Sequence, residues 1–145
     1  MRISTKGRYA IRLMADLAEN DTGEYIALKD VSARQGISVK YLEQIVRQLS
    51  NSGYLKSVRG PQGGYKLAKK PENYTVGDIL RITEGSMAPV ACLDDEVNEC
   101  PYYGQCSTIE IWEGLHEKIN EYIDSITLEQ VVNNHKAKTT IDYII

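Results

Sequence analysis

The sequence predicts a mainly α chain with a small β wing, closed by one long C-terminal helix. Three observations predict it. Residues 28–67, LKDVSARQGISVKYLEQIVRQLSNSGYLKSVRGPQGGYKL, read in turn as helix, glycine turn, helix and hairpin. Residues 107–126 repeat apolar side chains at three- and four-residue spacing. Charge divides unevenly, with 13 Lys/Arg against 6 Asp/Glu in residues 1–70 and 4 against 14 in residues 71–145.

The first helix runs from a cap at Ser4 or Thr5 to about Asn20, and Tyr9, Ala10, Leu13, Met14 and Leu17 form its buried stripe. Its start carries Arg2, Lys6, Arg8 and Arg12 without an acid. Cations there oppose the helix dipole, so a phosphate bound at that end would explain them. Asp21–Glu24 is a polar turn, and Tyr25–Ala27 reads as a short strand.

A short helix with Leu28 and Val31 on one side stops at Gly36, a residue suited to a left-handed helix end. Ser38 caps the next helix, and Ile37 before it can staple onto Leu42. Leu42, Ile45, Val46 and Leu49 make one buried stripe. The remaining faces hold Ser38, Lys40, Tyr41, Glu43, Gln44 and Arg47. Two helices joined by a glycine turn and followed by a hairpin make a winged helix-turn-helix, which implies DNA binding. Gln44 suits adenine, Arg47 guanine or phosphate, and Glu43 cytosine N4. A carboxylate in the groove also penalises wrong bases. The wing tip, Arg59-Gly60-Pro61, offers a cation to the minor groove on a tight turn.

Thr75 caps a further helix, VGDILRITE, which Gly85 ends. Cys92, Cys100 and Cys106, all the cysteines of the chain, fall in the polar, acidic loop that follows. Thiolates suit iron–sulfur clusters or zinc, although the spacing matches no standard zinc pattern and contains no CxxC. The longest helix follows, with Ser107 and Glu110 read as its capping box. Its stripe includes Ile109, Trp112, Leu115, Ile119, Tyr122 and Ile123. That stripe lies outside the winged-helix core, and the same helix of a second subunit is the economical cover, giving a homodimer on palindromic double-stranded DNA. Thr127 and Gln130 read as a second capping box, for a last short helix LEQVV.

The expected organisation is a DNA-binding domain over 1–85, a cysteine loop over 86–106, the dimerisation helix and a short final helix over 107–132, and a tail over 133–145. No run of apolar residues is long enough to span a membrane, and the start lacks the apolar stretch of a secretory signal. The expected location is therefore cytoplasmic, where cysteines serve as ligands or reactive thiols more than as disulfides. There is no catalytic His/Cys pairing and no phosphate-binding glycine loop, so an enzyme is not expected.

The segments MRISTKGRYA, RQGISVKYLEQ and SVRGPQGGY, the cysteines and the ending ITLEQVV resemble the IscR-type iron–sulfur cluster regulators. Their winged-helix superfamily also contains the nitric-oxide sensors NsrR and the cysteine-metabolism repressors CymR. The resemblance implies a homodimeric regulator, usually a repressor, that controls cluster-assembly genes through a 2Fe-2S cluster. It places three ligands on Cys92, Cys100 and Cys106, DNA reading on Tyr41, Glu43 and Gln44, and the minor-groove contact on Arg59. Two positions depart from the pattern. The first cysteine interval is two residues longer, and the histidine expected three residues after the last cysteine is Ile109. The acidic ligand of the NsrR type would fall where Arg8 stands. Glu110 and the loop acids Asp94, Asp95, Glu96 and Glu99 are then the candidates for a fourth ligand.

Overall fold

Helix α1 (Thr5–Glu19) begins where Ser4 Oγ accepts the Gly7 N–H at 3.0 Å, as the capping pattern predicts. Its Ala10, Leu13, Met14 and Leu17 are buried. The computed structural model describes residues 2–144. Helix α2 (Leu28–Gln35) buries Leu28 and Val31 and ends at Gly36, whose φ of 67° requires the left-handed region. Asp16 on α1 is buried at 2 % exposure. Its carboxylate accepts Arg34 Nη2 at 2.7 Å and Gln35 Nε2 at 2.9 Å, which locks α2 onto α1.

Helix α3 (Val39–Asn51) is capped by Ser38, whose hydroxyl accepts the Tyr41 N–H. Leu42, Ile45, Val46 and Leu49 face inward, so the predicted stripe is the observed one. Strands β1 (Leu55–Val58) and β2 (Gly64–Leu67) pair antiparallel, Leu55 opposite Leu67 and Val58 opposite Gly64. The expected strand Tyr25–Ala27 is reduced to one bridge, Ile26 to Tyr65, with N–H···O bonds of 2.9 and 2.8 Å. The approach is close: a Cβ on Gly64 would lie 2.2 Å from the Ile26 carbonyl oxygen.

Helix α4 (Val76–Glu84) opens with a reciprocal Thr75/Asp78 capping box. Helix α5 (Ile109–Ser125) starts one residue later than Ser107 predicts. Thr108 is its N-cap residue and no side chain caps it, so the expected Ser107/Glu110 box does not form. Helix α6 (Leu128–Ile144) does begin with the Thr127/Gln130 box, at 2.8 and 3.2 Å. It then continues well past the predicted LEQVV, through most of the expected tail. Leu128 and Val132 anchor it against the domain, and His135 Nδ1 meets Glu19 Oε1 of α1 at 2.5 Å.

The main core gathers α1, α2, α3, β1, Tyr74, Ile79 and Leu128. A second, smaller cluster of Leu80, Met87 and Ile123, flanked by Ile3, Ile11, Val76 and Ile119, joins the start of the chain to α4, the cysteine loop and α5. No helix among the described residues is long and apolar enough to cross a membrane.

Candidate nucleic-acid interface and cysteine loop

Capping by Ser38 and burial of the α3 stripe leave Lys40, Glu43, Gln44 and Arg47 exposed at i, i+3, i+4 and i+7, which is a single solvent face. The helix axis thus presents all four to one surface. Tyr41 behaves differently. Expected to face the groove, it is half-buried and packs edge-on against Tyr9, with ring centroids 5.7 Å apart. The large apolar ring gains more by covering α1 than by remaining in water. Arg12 lies over Tyr9, 5.2 Å from its centroid, and hydrogen-bonds Gln35, so it braces α1 against α2.

The wing carries Arg59 and Pro61 in solvent. Gly60 has φ 113°, and its carbonyl accepts the Gly63 N–H at 2.9 Å. A Cβ on Gly63 would stand 2.3 Å from the Val58 carbonyl oxygen, so the turn excludes side chains there. Between α3 and the wing lies a cleft of about 380 Å³, bordered by Glu43, Arg47, Ser57 and Arg59. Two of the three predicted base readers of the helix, Glu43 and Arg47, therefore share one cleft with the predicted wing cation, while Gln44 lies outside its lining.

At the start of α1, Arg8 is exposed and Lys6 half-buried. The anion site expected there is already taken. Glu84 Oε1, at the end of α4, accepts both the Ser4 N–H at 3.2 Å and the Ser4 hydroxyl. Any phosphate contact at this end falls to the side chains of its cations, Lys6 and Arg8 on the first turn and the exposed Arg2 before it. Nothing in local sequence could reveal Glu84, which lies 80 residues away.

The three thiols are unpaired: Cys92 and Cys106 are exposed and Cys100 is half-buried. Ser86 donates to Asp94 Oδ1 at 2.7 Å, and Asn98 Oδ1 accepts the Cys100 N–H at 2.9 Å. Tyr103 donates to Glu113 Oε1 at 2.6 Å, tying the loop to α5. Cys106 Sγ lies 3.6 Å from Thr108 Oγ1, and backbone and hydroxyl bonds from Thr108 hold its thiol below the usual cysteine range. Glu110 is exposed, while Ile109 is buried. Among the described residues, no three His, Cys, Asp or Glu side chains are gathered as a metal site. The donor set still suits an iron–sulfur cluster or zinc in type, since thiolates are soft ligands confined to one loop.

The α5 stripe splits between two faces. Ile109 and Ile123 are buried within the chain, and Ile119 packs on the Leu80–Met87–Ile123 cluster. Trp112 is half-buried. Ile111, Leu115 and Tyr122 remain 60 %, 43 % and 67 % exposed. Ile111, one turn before Leu115, was readable from its spacing but was not among the expected residues. A three/four repeat long enough to wrap two faces does not reveal which face its own domain covers.

Comparison with known proteins fits this arrangement. The Rrf2 family, described as "Iron-dependent Transcriptional regulator", matches residues 3–134. The regulator IscR of Pectobacterium atrosepticum is 37% identical over 142 residues, spanning 98% of this chain and 85% of that protein. The solved structure of CymR, the global cysteine regulator of B. subtilis, superposes with a TM-score of 0.74 at 35% identity, covering 92% of this chain and 98% of that one. That of T. potens IscR gives 0.71 at 36% identity, covering 93% and 88%. With its winged helix, its cysteine loop and these relatives together, the chain belongs to the Rrf2 family of DNA-binding transcriptional regulators.

Proposed function

We propose that this regulator is a cytoplasmic homodimeric repressor that reports iron–sulfur supply through a 2Fe-2S cluster and controls cluster-assembly genes. The observation that carries the reading is the placement of all three cysteines in the loop between α4 and α5. Cys92, Cys100 and Cys106 would hold the cluster, which supplies redox- and oxygen-sensitive iron when bound. The fourth ligand lies outside the thiols, with Glu110 and the loop acids nearest in sequence. The exposed Ile111, Leu115 and Tyr122 of α5 support pairing with a second copy, which sets two recognition helices on a palindromic site. Glu43, Gln44 and Arg47 then read the major groove, with Lys40 on the phosphate backbone beside them and Arg59 in the minor groove.

Anaerobic purification with visible absorption, iron, zinc and acid-labile sulfide assays tests the cluster. Two irons and two sulfides per subunit, lost when any one cysteine is replaced by Ala, are expected. Equal operator affinity in loaded and cluster-free protein would remove the sensing role.

One observation favours a second reading, a thiol switch. Cys106 is exposed, its thiol is held low, and Ile109 stands where IscR-type regulators place a histidine. A colourless protein whose DNA affinity changes on oxidation of Cys106 would select that reading. Stoichiometric zinc would instead make the loop a zinc site.

A further inference from the structure

We propose that Glu84 is a positioning residue for DNA binding, holding the basic start of α1 where Lys6 and Arg8 meet the phosphate backbone. The inference rests on reading those two cations as phosphate contacts. A relay of acceptors carries it: Glu84 Oε1 accepts the Ser4 amide and hydroxyl, and Ser4 Oγ accepts the Gly7 N–H. The first turn of α1 contains no acid, so the anion that a helix N-terminus favours comes from α4. Gly7 makes room for it, since a Cβ there would lie 2.2 Å from Glu84 Oε1. Ile3 and Ile11 pack with Leu80 and Met87, which flank Glu84 in sequence, so an apolar clamp backs the polar contact. Cations presented from a helix end held on two sides lose less freedom on meeting phosphate.

The test is the salt dependence of binding by the full chain to a labelled random-sequence duplex, because phosphate contacts are independent of sequence. Lys6→Ala and Arg8→Ala should each reduce the slope of log affinity against log salt by about 1. Glu84→Ala should reduce it comparably, whereas Glu84→Gln, whose amide oxygen can still accept from Ser4, should keep the original slope. Gly7→Ala provides a second variant, displacing the carboxylate while changing no charge, and should also reduce the slope. Thermal unfolding of each variant separates this from stability alone, which would lower the midpoint and leave the slope of folded protein intact. An unchanged slope in both Glu84→Ala and Gly7→Ala, with Lys6→Ala and Arg8→Ala effective, overturns the role of Glu84. An unchanged slope in all four variants overturns the phosphate reading itself, and the proposal with it.

Discussion

Arg81 grips Asp124 through two parallel hydrogen bonds, Nη1 to Oδ1 at 2.7 Å and Nη2 to Oδ2 at 2.8 Å, and so fastens α5 onto α4. The same guanidinium donates to Asn120 Oδ1 at 3.0 Å, one turn earlier. Gly77 allows the approach, since a Cβ there would lie 2.1 Å from Asp124 Oδ1. Both partners are over a third exposed, 37% and 44%, so water screens the pair. Asp124→Ala should therefore lower stability by only about 1 kcal/mol, with a smaller loss at high salt. Urea unfolding at low and high ionic strength measures both.

Tyr74 ties the wing to the body. Its hydroxyl accepts the Lys69 N–H at 2.9 Å and the Ala68 N–H at 3.0 Å, and donates to the Tyr54 carbonyl at 2.7 Å. Tyr74→Phe leaves the Lys69 amide without its partner, while the Tyr54 carbonyl keeps the Ala68 N–H at 3.2 Å, and should cost about 1–3 kcal/mol. Burial pushes the phenol above its ordinary value, against the opposing pull of the two N–H groups. The folded chain then keeps this proton to higher pH than the unfolded chain. Its contribution is fully present below about pH 10 and declines as pH rises through the folded value. Chemical unfolding on either side of pH 10 should show a shallower alkaline loss in Tyr74→Phe, with Tyr54, also raised by burial, supplying part of what remains.

At the interface, Arg59→Ala should weaken operator binding by about 1–3 kcal/mol if the wing reads the groove. Its position beside Glu43 and Arg47 on one cleft separates it from Lys40 at the start of α3. Arg59→Ala should accordingly reduce discrimination between operator and mutated operator, whereas Lys40→Ala should weaken all duplexes alike. Competition binding at fixed salt distinguishes the two.

The DNA-binding half was legible because its signals are local. Ser38, Gly36 and the Leu42–Leu49 stripe each act within a few residues, and all appear where the pattern puts them. Helix α6 was not, because Asn133, Asn134, Thr139 and Thr140 are poor helix formers and the apolar positions after Val132 are out of phase with Leu128 and Val132. Contact with α1 carries that helix instead, through Leu128 and His135. Thr108 displaced the expected Ser107 cap by one residue, the scale on which helix ends are set by backbone geometry as much as by composition. The cysteine loop could be located from composition alone, yet its ties to the fold, Ser86–Asp94 and Tyr103–Glu113, depend on chain folding. The Ser4–Glu84 contact spans 80 residues and leaves no trace in any local window.

The small apolar cluster around Met87 has a thermodynamic consequence. Only Leu80, Met87 and Ile123 are buried in it, while the winged helix rests on a much larger core. Free energy of local opening scales with the apolar surface exposed, so this joint is the weaker of the two. Helix α5 and the segment leading to Cys92, held to α4 chiefly by the exposed Arg81–Asp124 pair, are accordingly expected to exchange their amide protons before α1, α2 and α3 do.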